Sequence, residues 1–518
     1  MVAVGRSVER RRLRLSQAWV TSPTAVAVGL LALVALSLKV RTRAIGAPFW
    51  GDEGLSVGIA SHPLHAIPGV LREDGSPPLY YILLHVWMAA FGHSESATHA
   101  LSVLFAVATV PVGLWLGRSL FGSRAGWVCA ILCAICPLLT SYAQETRMYS
   151  LVALLSLLVA GAFVHTFVYR RRGYRWLLGA ALGAALYTHS WAMFLGAAAV
   201  LAFLALLVRA RDRRAFVVDG GVAFGLAAVA IAPWIPTLLF QAKHTGAPWA
   251  SVPHLHALTR AMDHVAGGPG PLVAVLVAAG ATAVELRRRQ RADEVTAAVV
   301  LLGLTLGTAL LAWGYSHHSP AWASRYLTIL LGPALLLCSL LLVRAGPAGA
   351  AALVVIAFIW FGQPPYHTLS RKSNIKTVAA RLAPDLRPGD YVVAGQPETG
   401  PLLRYTLGPH QRYADVMGRV ADPQVMDWRD ALARLRASTP RAVLALAHRL
   451  PRGGRIAFVR PVTRAKGWRA RWTHQVKLKA AALGAALRRD RSLRLVANIK
   501  PGRRGTESTL RATVYERR

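Results

Sequence analysis

Phe49-Trp50-Gly51-Asp52-Glu53-Gly54 sets two adjacent carboxylates just beyond an apolar run, Pro23 to Leu38, that is closed by Lys39, Arg41 and Arg43. A charge beside hydrocarbon costs on the order of several kcal/mol unless it is solvated, paired or used, so such a pair reads as a functional site. Its surroundings decide the fold. The 518 residues are 54% hydrophobic and carry a net charge of +37, with a mean hydropathy of +0.40 and a pI near 11.4. Soluble basic proteins rarely combine these properties. The basic residues fall in short clusters between apolar runs, the pattern of topology signals and not of nucleic-acid binding.

At about 20 residues per crossing, spans are expected near 23–40, 98–117, 125–142, 148–168, 175–190, 192–208, 216–238, 271–285, 295–314, 326–343 and 347–362. Alternate connections are rich in arginine: the amino terminus with Arg6, Arg10, Arg11, Arg12 and Arg14, then Arg118 to Arg124, Arg170 to Arg175, Arg209 to Arg214, Arg287 to Arg291, and Arg344. The positive-inside rule makes these cytoplasmic. The expected fold is a polytopic α-helical membrane protein of about eleven transmembrane helices, amino terminus inside and carboxy terminus outside. The first run is long for a signal peptide and reads as an uncleaved helix.

Leu79 to Phe91, which follows Pro77-Pro78, is too short to span and carries Trp87, Tyr80 and Tyr81, so it is expected to lie in the interface. Counting it as a crossing would put the arginines outside. Cys129, Cys133 and Cys136 share one span and Cys338 occupies another, so no disulfide framework is present. The chain divides into a cytoplasmic segment 1–22, a membrane unit 23–362 with a first outer loop 41–97, and an extracytoplasmic α/β domain 363–518. In that domain strands are expected at Tyr391–Ala394, Ala442–Leu446, Ile456–Val459, Leu493–Val496 and Ala512–Tyr515. Helices are expected near 373–383, 427–437 and 476–489.

The outer face gathers Asp52-Glu53; Asp74-Gly75-Ser76-Pro77-Pro78-Leu79-Tyr80-Tyr81; Gln144-Glu145-Thr146-Arg147; Thr188-His189-Ser190-Trp191; and Ser324-Arg325-Tyr326. Helical spacing would pair Gln144 with Arg147 and Glu145 with Tyr149, unless the helix has ended. In order and setting, these clusters resemble the membrane glycosyltransferases of the GT-C superfamily, in the bacterial branch related to protein mannosyltransferases. A common form of that branch has His before the two prolines; Ser76 stands there in this chain.

The resemblance implies an inverting transferase that moves a hexose, mannose in the first instance, from a polyprenyl-phosphate donor to a glycan, lipid or protein acceptor outside the cytoplasmic membrane. Asp52 matches the family's catalytic aspartate, and Glu53 is taken with it. A carboxylate takes the acceptor's proton as the new bond forms. Arg147 and Arg325 suit the departing phosphate, since a guanidinium pairs with it bidentately. Asp74, Tyr80, Gln144, Glu145, His189 and Tyr326 complete the expected substrate-binding set. A divalent metal bridging Asp74 or Glu145 to the phosphate fits this chemistry, but no ligand spacing requires one. The competing class is a transporter or flippase for a lipid-linked or cell-wall glycan precursor, which would need polar groups near the membrane midplane.

Overall fold

The computed structural model describes residues 22–289, 291–463 and 470–518. The arginines at 6–14 lie outside the described residues. Beyond Ser22, whose hydroxyl caps the first helix by accepting from Ala25 N at 3.1 Å, the chain is helical as far as Trp360 apart from its connections, and then forms a sheet domain.

Among the described residues eight helices are long and apolar enough to cross a membrane, or nine if a bent pair counts as one span. The pair is Ser123–Ile135 and Pro137–Ala143, bent by 47°. Pro137 has no N–H to continue the upstream helix, which accounts for the bend. The remaining expected crossings are shorter helices, Tyr174–Thr188 with 15 residues and Pro347–Trp360 with 14. At 1.5 Å per residue each covers only about 20 Å of a hydrocarbon layer about 30 Å thick. Leu79–Phe91 is a 13-residue helix whose Tyr80, Tyr81 and Leu84 are buried.

Small residues bring the helices together. A Cβ on Gly117 would stand 2.8 Å from Ala125 O, and one on Gly332 would stand 2.2 Å from Leu157 N. Glycine at such positions lets backbones touch, the usual means of helix association in lipid. The arginine-rich connections gather at one end. Arg171 donates to Ser119 O at 2.9 Å and Arg344 to Phe121 O at 3.2 Å, while Arg170, Arg172 and Arg175 surround the fully buried Asp219.

The sheet domain has six strands: β1 Tyr391–Ala394, β2 Arg412–Asp415, β3 Gly418–Arg419, β4 Arg455–Pro461, β5 Leu493–Ile499 and β6 Leu510–Arg517, in the order β3-β2-β1-β4-β6-β5. β1 is parallel to β2 and β4, and β6 is antiparallel to β4 and β5. The expected strand at Ala442–Leu446 is instead part of the helix Pro440–His448. Pro440 occupies its first turn, where a missing N–H is harmless, and Val443 and Ala447 are buried one turn apart. The helix expected near 427 begins at Ala431, after Asp430 adopts a left-handed φ of 49°.

This domain grips the helix Gly51–Ala60. A Cβ on Gly54 would meet Leu402 Cα at 2.7 Å, and one on Gly58 would meet Gln424 O at 2.0 Å. The two glycines lie one turn apart and form a bare face against which the domain docks. At the helix end His62 Nε2 contacts Asp422 Oδ2 at 2.7 Å. Nearby, Trp428 N donates to Glu73 O at 3.0 Å.

Candidate active site

Asp52 occupies the first turn of Gly51–Ala60, where the helix dipole favours an anion. Its Oδ2 lies 3.5 Å from Arg325 Nη2, with both side chains about a quarter exposed. Arg147 Nη1 donates to the Asp52 carbonyl at 3.3 Å and to Ser56 Oγ at 3.1 Å. Asp52 is thus flanked by two guanidinium groups. Arg325 is caged by aromatic faces, its Cζ lying 4.6 Å from the Trp249 ring centre, 5.6 Å from Tyr326 and 5.7 Å from Trp50. The rings hold its plane without consuming its donors.

Glu53 has a different environment although it is adjacent. It is fully buried. Lys372 Nζ lies 2.7 Å from both of its oxygens, His99 Nε2 lies 2.5 Å from Oε1, and Thr146 N donates to Oε1 at 2.9 Å. Oε2 also accepts from Trp50 N at 3.2 Å, reaching back to cap its own helix. Burial alone would raise its pKa, but Lys372 and His99 outweigh that and hold the carboxyl below its ordinary range.

Asp52, Asp74, Arg147, His189, Arg325 and Tyr326 line one open cleft, with about 1250 Å³ of unfilled space including open solvent. Gly75 ends the helix Ile67–Asp74 in a left-handed conformation, φ 98°, with Thr245 packed where a Cβ would stand. Burial raises the pKa of Asp74. His189 Nδ1 accepts from Trp191 N at 3.1 Å, and its ring meets Tyr326 edge-on at 4.5 Å.

Glu53, Tyr80, Gln144 and Glu145 do not line this cleft. Tyr80 is fully buried against Tyr81. The helix preceding Gln144 ends at Ala143, so the helical pairing of Gln144 with Arg147 does not form. Gln144 Oε1 accepts from Ala44 N at 2.6 Å, and its carbonyl accepts from Lys372 Nζ at 2.8 Å. Glu145 is partly buried, with Oε2 enclosed and without a hydrogen-bond partner among the described residues. Its pKa is pushed up to about 8, first by burial and then by Glu53. Among the described residues no three of His, Cys, Asp or Glu converge as metal ligands.

Sequence reasoning missed Lys372 and His99, which fix the neighbour of Asp52, and Trp249 and Trp428, which wall the cleft. Gly54-x-x-x-Gly58 was the available signal, a small-residue face marking a docked partner. On the far side of Asp52 and Arg325 a second cleft, with about 1090 Å³ of unfilled space including open solvent, opens between the membrane unit and the sheet domain.

At these helix ends one acid lies between two arginines beside a docked sheet domain, and the fold as a whole is similar to those of solved membrane glycosyltransferases. Residues 75–240 match the family model described as dolichyl-phosphate-mannose-protein mannosyltransferase. The solved structure of ArnT from Cupriavidus metallidurans in the apo state aligns over 94% of this chain and 98% of its own, at 16% identity and a TM-score of 0.64. ArnT from the same organism bound to undecaprenyl phosphate aligns over 95% and 98%, at 13% identity and a TM-score of 0.59. AglB, the oligosaccharyltransferase of Archaeoglobus fulgidus, in complex with an inhibitory peptide and a dolichol-phosphate, aligns over 88% and 72%, at 12% identity and a TM-score of 0.57. No curated protein sequence matches the chain.

Proposed function

We propose that the chain is an inverting glycosyltransferase that moves a hexose, mannose in the first instance, from a polyprenyl-phosphate donor to an acceptor hydroxyl at the outer face of the cytoplasmic membrane. The observation that carries this reading is Asp52 facing Arg325 at 3.5 Å in a cleft that Arg147 also lines. The family description of residues 75–240 supports the choice of mannose, and the likeness to ArnT bound to undecaprenyl phosphate supports the donor class.

Asp52 accepts the proton of the acceptor hydroxyl while that oxygen bonds to the anomeric carbon. The bond from that carbon to the phosphate oxygen breaks on the opposite face, and its electron pair leaves with the phosphate. Arg147 and Arg325 stabilise the charge gained there. Asp74, His189 and Tyr326 line the donor side of the cleft and are assigned to donor binding. Glu53 is assigned a positioning role, because its oxygens are saturated by groups that hold the helix. The arginine-rich turns lie at the cytoplasmic end, consistent with eleven crossings in which the two short helices take part. On that orientation the cleft and the sheet domain are extracytoplasmic, where a lipid-linked donor arrives laterally with its phosphate at the interface.

The test is transfer by purified protein in nanodiscs with polyprenyl-phosphate mannose as donor. Asp52→Asn should abolish transfer with the melting temperature retained. Full activity of that variant, or movement of the labelled lipid across reconstituted vesicles without covalent transfer, would overturn the assignment.

A further inference from the structure

The second cleft shares Asp52, Arg325, Trp249 and Trp428 with the first but takes its remaining wall largely from the sheet domain. The loop 505–509 forms one side. It is fastened to the start of the domain: Thr506 N donates to Arg371 O at 2.7 Å, and Glu507 N and Ser508 N each donate to Lys372 O at 3.0 Å. A Cβ on Gly505 would stand 2.1 Å from Ser508 O, so glycine is required for this tight fold. Ser508 Oγ is enclosed and without a hydrogen-bond partner among the described residues.

Glu398 supplies the opposite side. Its Oε1 accepts from Trp472 Nε1 at 3.0 Å and Gln396 Nε2 at 2.8 Å. Its Oε2 is enclosed and has no hydrogen-bond partner among the described residues. Burial raises its pKa. Trp428 packs on Trp472 with ring centres 5.1 Å apart, giving an indole wall beside this carboxyl. Thr399, Thr473, Thr506 and Thr509 also line the space.

We infer that this cleft binds a neutral glycan acceptor, with the small part of Trp428 that reaches the space as an apolar contact for a sugar ring and Glu398 and Glu507 accepting hydrogen bonds from its hydroxyls. Indole carbon takes the apolar side of a sugar ring, and carboxyl and hydroxyl groups match its rim of O–H donors. A phosphorylated acceptor is disfavoured, since among the described residues the lining sets Glu398 and Glu507 against one cation, Arg325, which is assigned to the donor phosphate. The inference deepens the transfer reading, and rests on it, by naming the acceptor class and giving the sheet domain a part in the site.

The experiment is saturation-transfer NMR on the full-length protein in nanodiscs prepared free of sugar-based detergent. The probes are neutral mannose, glucose and galactose di- and trisaccharides, with mannose 6-phosphate as the anionic comparison. At least one neutral oligosaccharide should bind and outcompete mannose 6-phosphate. Glu398→Gln and Glu507→Gln should each weaken it by about tenfold, the size of one lost hydrogen bond, with unchanged melting temperatures. Trp428→Phe should weaken binding less than Trp428→Ala. No binding across the panel, binding indifferent to both Gln variants, or preference for the phosphorylated sugar would overturn the inference. Because the readout is binding, transfer without glycan binding refutes this site alone, and glycan binding without donor turnover refutes the catalytic reading alone.

Discussion

Lys372→Met removes the cation from a carboxylate that has no contact with solvent. Lys372 Nζ lies 2.7 Å from both oxygens of Glu53, and the two side chains are 5% and 0% exposed. Breaking a buried pair from one side costs about 3–5 kcal/mol, because the remaining charge is stranded. The N–H groups of Thr146 and Trp50 stay on Glu53, which places the expected loss toward the lower end of that range. In the wild-type protein the depressed Glu53 pKa gives stability that is present above the ordinary carboxylate range and is lost only as pH falls through the lower folded value. In the variant burial is no longer opposed by Lys372, so the folded pKa moves up. The deficit is then largest at high pH and shrinks as Glu53 takes a proton. Melting curves in nanodiscs at about pH 5.5 and about pH 8 read this directly, and the larger drop is expected at the higher pH. Glu53→Gln/Lys372→Met, which strands no charge, should recover most of the loss. Transfer should fall in the single variant because Asp52 is carried on the same helical turn. Unchanged melting at the higher pH together with full transfer would refute the reasoning.

Arg325→Lys keeps the charge but loses the planar fork held among Trp50, Trp249 and Tyr326; a fall in transfer rate of about 10- to 100-fold is expected, measured against donor concentration. Glu145 holds its proton to about pH 8 in the folded chain. The unfolded chain releases that proton in the ordinary carboxylate range, so this group's contribution to stability falls as pH rises across the window. Glu145→Gln should therefore flatten the melting temperature against pH between those limits. Gly58→Ala puts a methyl 2.0 Å from Gln424 O, whereas a methyl at Gly69 meets nothing within 4 Å. The first should lower the melting temperature, and the second should leave it unchanged or raise it by the helix preference of alanine, up to about 1 kcal/mol.

What the sequence revealed follows the range of the forces involved. Apolar length and arginine placement are local, so the long helices and the short helix Leu79–Phe91 were legible from composition. Asp52, Arg147 and Arg325 were legible because each ends or precedes an apolar run, and the structure brings all three to one cleft. The surroundings of Glu53 were not legible, because its neutralising group, Lys372, is 319 residues away. Ala442–Leu446 was misread because a short apolar run fits a buried strand and a helix face equally, and Pro440 was the overlooked signal. The second cleft was invisible for the same reason as Lys372: Glu398, Trp428 and Glu507 share no local pattern and meet only when the sheet domain docks.

The adjacency of Asp52 and Glu53 then has a geometric explanation. Successive helical residues point about 100° apart, so one turn can direct Asp52 into the cleft and Glu53 into the protein. The inward carboxylate is held by Lys372 from the sheet domain, His99 from the helix Glu95–Phe121 and Thr146 from the turn that presents Arg147. One buried charge therefore fixes the proposed base, ties it to the turn carrying Arg147, and fastens both to the domain that walls the second cleft. Because Lys372 O also receives the N–H groups of Glu507 and Ser508, a shift of that loop on acceptor binding would be transmitted to Glu53. Glu53→Gln should accordingly weaken the dependence of transfer rate on acceptor concentration more than that on donor, and an equal effect on both would separate the loop from the catalytic helix.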